Sequence, residues 1–321
     1  MRLANVLSGL SLRVFAFAAA AAAVSAQPYG YVSNQMGNNI SVVNMATNAI
    51  STEISLSSAG LSGLAITPKG SYVYAAEQSL NSVAVISTST NSVIATIPVG
   101  SAPVQVAITP NGKAAYVANE QSNNVSVIST ATNKVVATIP VGANPVALAI
   151  TPNGANVLVA NLYSSTISVI GTTSNTVKAT WTTLSGPSSI VVSPKGANAY
   201  VAAQYANSIA VHSVANGDML ATITGFAAPD SVAMTPNGAY LYVANGNSST
   251  VAVVRTATAE IAATIEVGLL PTSVAVSANG LTAYVTNAFG FSLSEISTAT
   301  NTVEYTLPSV GIYPVSIVIY N

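Results

Sequence analysis

Residues 103–144 read PVQVAITPNGKAAYVANEQSNNVSVISTATNKVVATIPVGAN. Four runs rich in Val, Ile, Ala and Tyr alternate with turn clusters: Val104 to Thr109, Ala114 to Asn119, Val125 to Ser129 and Val135 to Pro140. Short β-branched runs bounded in this way predict strands. Pro110-Asn111-Gly112 predicts a tight turn between the first two, because proline presets φ and glycine accepts the left-handed position. Ala131-Thr132-Asn133 turns between the last two. The stretch therefore predicts one four-stranded antiparallel unit.

The unit recurs along the whole chain. Tyr116-Val-Ala-Asn119 has counterparts at Tyr31-Val-Ser-Asn34, Tyr74-Ala-Ala-Glu77, Leu158-Val-Ala-Asn161, Tyr200-Val-Ala-Ala203, Tyr242-Val-Ala-Asn245 and Tyr284-Val-Thr-Asn287, at intervals of 43 and then 42 residues. Thr109-Pro-Asn-Gly112 keeps the same period from Thr67-Pro-Lys-Gly70 to Ser277-Ala-Asn-Gly280, and so does a proline at 103, 145, 187, 229 and 271, with Pro314 one residue late. A four-stranded repeat of this length predicts a propeller blade. The fold class expected is all-β: a seven-bladed β-propeller of four-stranded antiparallel blades. The first tetrapeptide begins at a second strand, whereas Pro314 to Tyr320 (PVSIVIY) has the pattern of a first strand with no partner after it. Pairing this C-terminal strand, about 314–320, with the three N-terminal strands closes the ring and removes the free edge.

At these tetrapeptides the chain resembles the YVTN family of β-propeller repeats, found in bacterial and archaeal secreted and surface-layer proteins, and the resemblance covers residues 28–321. WD40 repeats are excluded, since their Gly-His and Trp-Asp signatures need many His and Trp and the chain has one of each. The resemblance extends to seven-bladed lactonases and to the haem d1 domain of nitrite reductases, which place charged or His side chains in the central channel. Family units commonly carry Asp after the Val-Ile of the third strand. Here those positions hold Asn44, Ser87, Ser129, Gly171, Ser213, Arg255 and Ser297.

Only 5% of the 321 residues are charged, against about a quarter in an ordinary soluble domain. A formal net charge of −1 supplies no field for a polyanion, so no nucleic-acid partner is expected. With no Cys, disulfides, zinc ribbons and thiol nucleophiles are excluded. The single His, His212, cannot build a multi-histidine metal or haem site. At the N-terminus, Arg2 and Arg13 precede the apolar run Val14 to Val24, and Val24-Ser25-Ala26 offers a small-residue cleavage site. This pattern predicts a signal peptide over 1–26 and a single propeller domain over 27–321, without membrane insertion after cleavage. The expected location is secreted, periplasmic or cell-surface.

Candidate chemistry is sparse. The inner-strand column Gly63, Gln105, Ala147, Ser189, Ser231, Ser273 and Ser316 is expected to line the channel, alternating with Leu64, Val106, Leu148, Ile190, Val232, Val274 and Ile317 packed between blades. A channel of small neutral groups supplies no acid, base or activated nucleophile. No catalytic residue, cofactor or metal is therefore assigned, although Asp230, Glu120 and Glu77, on separate blades, carry oxygen ligands of the kind calcium takes. Glu295 is anomalous in a column otherwise filled by valine. His212 and Trp181 stand in columns of aliphatic residues and are read as packing.

Loops between second and third strands share a face with the blade junctions. Tyr163, Tyr205, Phe289, Phe291, Phe226 and Tyr313, with Glu120 and Asp230, make that face the candidate binding surface, since aromatics without neighbouring charge suit a protein or sugar contact. The function expected is a non-enzymatic binding or scaffold propeller contacting protein or carbohydrate. The alternatives are a lactonase-like hydrolase or haem d1-type cofactor carrier, and a structural surface-layer component.

Overall fold

The computed structural model describes residues 28–57 and 60–320; the leader expected over 1–26 lies outside them. Seven four-stranded antiparallel sheets form a ring of blades. Blade 3 runs Pro103–Ile108, Ala114–Asn119, Asn124–Ser129 and Lys134–Pro140 from the channel outwards. Blade 1 is assembled from both ends of the chain: Pro314–Tyr320 pairs with Tyr29–Asn34, followed by Asn39–Asn44 and Ala49–Ser55. Connections from inner to second and from third to outer strand share one end of the ring, here the turn face. Connections from second to third strand and from blade to blade share the other, the loop face.

A single sheet cannot bury either of its faces, so each apolar cluster draws on two neighbouring blades. Tyr74, Val83 and Ile97 of blade 2 pack against Val106, Val117 and Ile128 of blade 3, and the same arrangement recurs around the ring. The last cluster joins Tyr284 and Leu293 of blade 7 to Val32, Val43 and Ile317 of blade 1. All seven inner-strand positions from Leu64 to Ile317 are buried, each contributing on the order of 1.5–3 kcal/mol from removal of apolar surface.

On the turn face, proline of one blade lies against the turn glycine of the next. Gly112 and Gly154 sit at φ +70° and +69° with the rings of Pro68 and Pro110 3.4 and 3.5 Å from where a Cβ would stand. Only glycine takes this backbone without strain.

Tyrosines of the repeat tetrapeptide latch neighbouring blades. The hydroxyls of Tyr31, Tyr74, Tyr116 and Tyr242 donate to the Oδ1 of Asn91, Asn133, Asn175 and Asn301 in the third-to-outer turn of the following blade, at 2.8–3.0 Å. Burial pushes the hydroxyls of Tyr31, Tyr74 and Tyr242 up to about 12, which keeps them protonated donors.

The latch explains Glu295. At the closing junction its carboxylate accepts from the Tyr284 hydroxyl (3.3 Å) and from Asn48 Nδ2 of blade 1 (2.5 Å), bridging the two latch partners. Between blades 4 and 5 the latch is absent, with Leu158 and Gly217 in its two positions. The Trp181 ring fills the space over Gly217, where a Cβ would meet it at 2.2 Å, and stacks on His212 at 6.0 Å and 19°. His212 is fully buried. Its Nδ1 faces the Gly217 carbonyl (3.0 Å) and its Nε2 the Thr183 hydroxyl (2.9 Å). A carbonyl only accepts, so Nδ1 carries the proton and Nε2 accepts from Thr183.

Between blades 5 and 6, Tyr200 faces Ala259 in place of asparagine. Tyr116→Phe is expected to lower unfolding free energy by about 1 kcal/mol, the worth of one hydrogen bond, while Tyr200→Phe changes it by less than about 0.5 kcal/mol. Urea denaturation of both variants checks the latch, and equal effects would refute it.

Candidate functional site

The channel cavity, about 150 Å³, is lined by the column from Gly63 to Ser316 and also by the residue preceding each member: Ser62, Val104, Val146, Ser188, Asp230, Thr272 and Val315. Two successive residues face the channel because the inner strand bulges there. In blade 3, Pro103 pairs with Asn119 and Gln105 with Ala118, leaving Val104 unpaired. In blade 6, Pro229 pairs with Asn245 and Ser231 with Ala244, leaving Asp230 as the bulged residue. A bulge re-aims one side chain and breaks the alternation of faces. The expectation of an entirely neutral channel is corrected accordingly: it contains one carboxyl.

Hydroxyl and amide groups of the column serve the free edge of the inner strands. Ser316 Oγ accepts from Leu64 N, Ser189 Oγ from Val232 N and Ser231 Oγ from Val274 N, each at 3.2 Å, and Gln105 Oε1 accepts from Leu148 N at 2.5 Å. Each acceptor belongs to the preceding blade, so the column satisfies backbone donors that no fifth strand covers. Asp230 stands apart from this scheme. Its Oδ1 accepts from Gln204 Nε2 of blade 5 at 2.8 Å, and burial pushes the carboxyl up to about 6.

Glu120 and Glu77 do not join it. Glu120, in the second-to-third loop of blade 3, accepts from Asn144 Nδ2 (2.9 Å) and Gln78 Nε2 (3.2 Å). Glu77, buried, replaces the tetrapeptide asparagine and accepts from Ser82 Oγ at 2.8 Å. No group of three or more His, Asp or Glu able to hold a metal ion exists among the described residues.

The loop face displays most of the expected aromatics. Tyr163, Tyr205, Phe289 and Phe291 are 68%, 57%, 59% and 45% exposed, whereas Phe226 is 7% exposed. Phe226 is thus corrected from surface to core: it packs with Tyr200, Ile223 and Val232 between blades 5 and 6. Phe289 meets Tyr313 edge to face at 5.4 Å and 72°. Backbone bonds from Gly290 N to Leu269 O and from Met36 N to Ile312 O, both 3.2 Å, hold the adjoining loops side by side. Leu269, Phe289, Ile312 and Met36, each about 60% exposed, form an apolar band over blades 7 and 1. Sequence reasoning places Leu269 and Leu270 at the blade junctions of this face, but missed Ile312 and gave Met36 no role. Tyr163 and Tyr205 stand across the channel on blades 4 and 5.

The backbone beneath this band is unusual. The residue before each third strand is left-handed, and in six blades it is Asn38, Asn81, Asn123, Ser165, Asn207 or Ser249; in blade 7 it is Phe291, at φ 50°. The residue before each inner strand is left-handed too, and is Gly60, Ala102, Asn144, Gly186 or Ala228 except at blades 7 and 1, where it is Leu270 (φ 53°) and Tyr313 (φ 62°). Bulky side chains in this region cost on the order of 1 kcal/mol each. All three lie at the band.

Two family descriptions match parts of the chain: "Lactonase, 7-bladed beta-propeller" over residues 170–277 and "Choice-of-anchor I domain" over residues 73–223. None of the curated proteins matches it. Among solved structures, a functionally unknown protein from Desulfotomaculum acetoxidans superposes with a TM-score of 0.80 at 21% identity, covering 91% of this chain and 98% of that one. Hydrazine synthase of Kuenenia stuttgartiensis gives 0.77 at 23%, covering 84% and 92%. A Bacteroides fragilis protein described as a candidate 6-phosphogluconolactonase gives 0.78 at 16%, covering 93% and 99%. At these identities the likeness is one of fold.

The Asp230 carboxyl has a consequence for stability. Its proton is held more tightly folded than unfolded, so its contribution is fully present below the unfolded value of about 4 and is lost as pH rises through the folded value of about 6. After a discount for its partial exposure, about 2 kcal/mol is at stake. Wild type minus Asp230→Asn, measured by denaturation from pH 3.5 to 7.5 (roughly spanning both values), is expected to fall by that amount between pH 4 and 6. A flat difference would show that the carboxyl titrates normally.

Proposed function

We propose that this protein is a non-enzymatic binding or scaffold propeller of the cell exterior, contacting protein or carbohydrate through its loop face. The observation that carries this reading is the coincidence of exposed apolar side chains with bulky left-handed residues at blades 7 and 1. Six blades hold the same backbone with Asn or Ser before the third strand, so Phe291 is kept against a conformational penalty. Strain of this kind concentrates where function constrains a residue. The N-terminal pattern of a signal peptide and the match to a choice-of-anchor domain over 73–223 support a surface location. Phe291→Asn is expected to raise unfolding free energy by about 1 kcal/mol and to weaken binding to an array of polysaccharides or to host envelope preparations at least tenfold. Protease treatment of the envelope separates protein from carbohydrate ligands. Destabilisation together with unchanged binding would refute the assignment.

Asp230 favours a second reading, lactone hydrolysis at the channel mouth. A carboxyl pushed up to about 6 can hold or pass a proton near neutral pH, and the lactonase-type match over 170–277 includes it. Ring opening of lactones, lost at least a hundredfold in Asp230→Asn, would establish this reading; turnover that is absent, or unchanged in the variant, would remove it.

A further inference from the structure

The few charges are segregated along the channel axis. Every basic side chain of residues 28–320 lies in the turn-face half: Lys69, Lys113 and Lys195 in inner-to-second turns, and Lys134, Lys178 and Arg255 at or near the turn-face ends of their strands. The loop-face half holds Glu53, Glu77, Glu120, Asp230 and Glu266 and no basic residue. The other four carboxylates share the turn-face half, which is left with a net charge of +2 against −5 on the loop-face half. Of those four, Glu295 is engaged internally by Tyr284 and Asn48. All six basic side chains are exposed, as are Glu53 and Glu266.

Apolar relief follows the same axis. The loop face carries the protruding band of Met36, Leu269, Phe289 and Ile312. The turn face carries grooves between neighbouring blades. One, of about 330 Å³, is lined by Pro68, Tyr72 and Pro110 with Lys69 at its side. A second, of about 510 Å³, is lined by Pro194, Tyr200 and Pro236 with Lys195. Both volumes lie in the range of sites that accept a group larger than one side chain. Each face thus offers what the other lacks, in charge and in shape.

We infer that copies of this chain associate head to tail along the channel axis, the loop face of one seating on the turn face of the next. The inference rests on the loop face being a contact surface, as proposed above, and names a second copy as its partner. Loop-to-loop pairing would set Glu53, Glu120 and Glu266 of one copy against the same three of the other with no cation between them, whereas head-to-tail contact opposes unlike charge. The two contacting surfaces are different and lie at opposite ends of one axis, so the contact is heterologous and the assembly is an open stack rather than a closed dimer. Exposed charges are screened within about 8 Å at physiological ionic strength, so stacking weakens as salt rises.

Sedimentation velocity on the purified protein, over a hundredfold range of concentration and at low and high salt, tests this. The expected result is a distribution that grows continuously with concentration and shrinks with salt. Glu53→Lys/Glu266→Lys and Lys69→Glu/Lys195→Glu, each verified as folded by circular dichroism, should each associate at least tenfold more weakly alone. Mixed one to one, they should recover association, because every contact then has an unlike-charged face available. A species that stops at the dimer, or a mixture no better than its components, overturns the inference, as does a monomer at every concentration. These variants leave the aromatic band intact. A monomer that still binds polysaccharide or envelope in a Phe291-dependent way therefore defeats stacking alone, whereas loss of both defeats the loop-face reading as well.

Discussion

Packing of each blade against its two neighbours is the constraint from which the other features follow. A four-stranded sheet of Val, Ile, Ala and Tyr has two apolar faces and no means of covering either by itself. Every buried cluster accordingly takes residues from two successive blades. The arrangement holds only if the seventh blade meets a complete first one. The chain supplies it by pairing Pro314–Tyr320 with Tyr29–Asn34 inside one sheet, so that opening the ring requires breaking a ladder as well as an interface. The closing junction has its own polar connection, in which Glu295 stands between Tyr284 and Asn48.

Scarcity of charge is compatible with this architecture because neutral groups do the polar work. Free N–H groups at the channel edge are taken up by serine hydroxyls and one glutamine amide of the preceding blade. The tetrapeptide asparagines tie second to third strands: Asn119 Nδ2 donates to Asn124 Oδ1 (2.8 Å) and to Ser126 Oγ (2.9 Å). Tyrosine hydroxyls reach turn asparagines in the next blade. None of these contacts needs an ion, and burying one would carry a heavy desolvation penalty. The charges that remain are free to be distributed by other demands, and they divide between the two ends of the ring.

Repetition makes exceptions legible. Six blades show what a given backbone position requires, so a departure in the seventh identifies a local demand. Trp181, His212 and Gly217 depart together at the one junction where Leu158 removes the tyrosine latch, and they form a replacement contact, so they belong to packing. Phe291, Leu270 and Tyr313 depart at one exposed apolar band, Phe291 itself exposed and the other two half-buried. Asp230 departs alone in the channel. The last two departures are where chemistry or recognition has a physical foothold.

Strand pattern, blade count and the split first blade were all legible in the sequence, because period-2 alternation and turn chemistry are local properties that seven repetitions average into certainty. The left-handed turn glycines from Gly70 to Gly280 were legible in the same way, through their fixed spacing. Other features depended on tertiary contacts. Alternation put Ser231 in the channel and so turned Asp230 away from it, but a bulge, set by how the inner strand meets its neighbour, turned Asp230 into the channel as well. Phe226 had the same loop address as exposed residues but packs inward against Tyr200 and Val232. Glu295 looked like a charge on an apolar face until the far end of the chain brought Asn48 to it. Sequence alone determined what repeats, since that is encoded within each 42-residue unit; only the closed ring decided what the exceptions touch, since their partners lie in another blade.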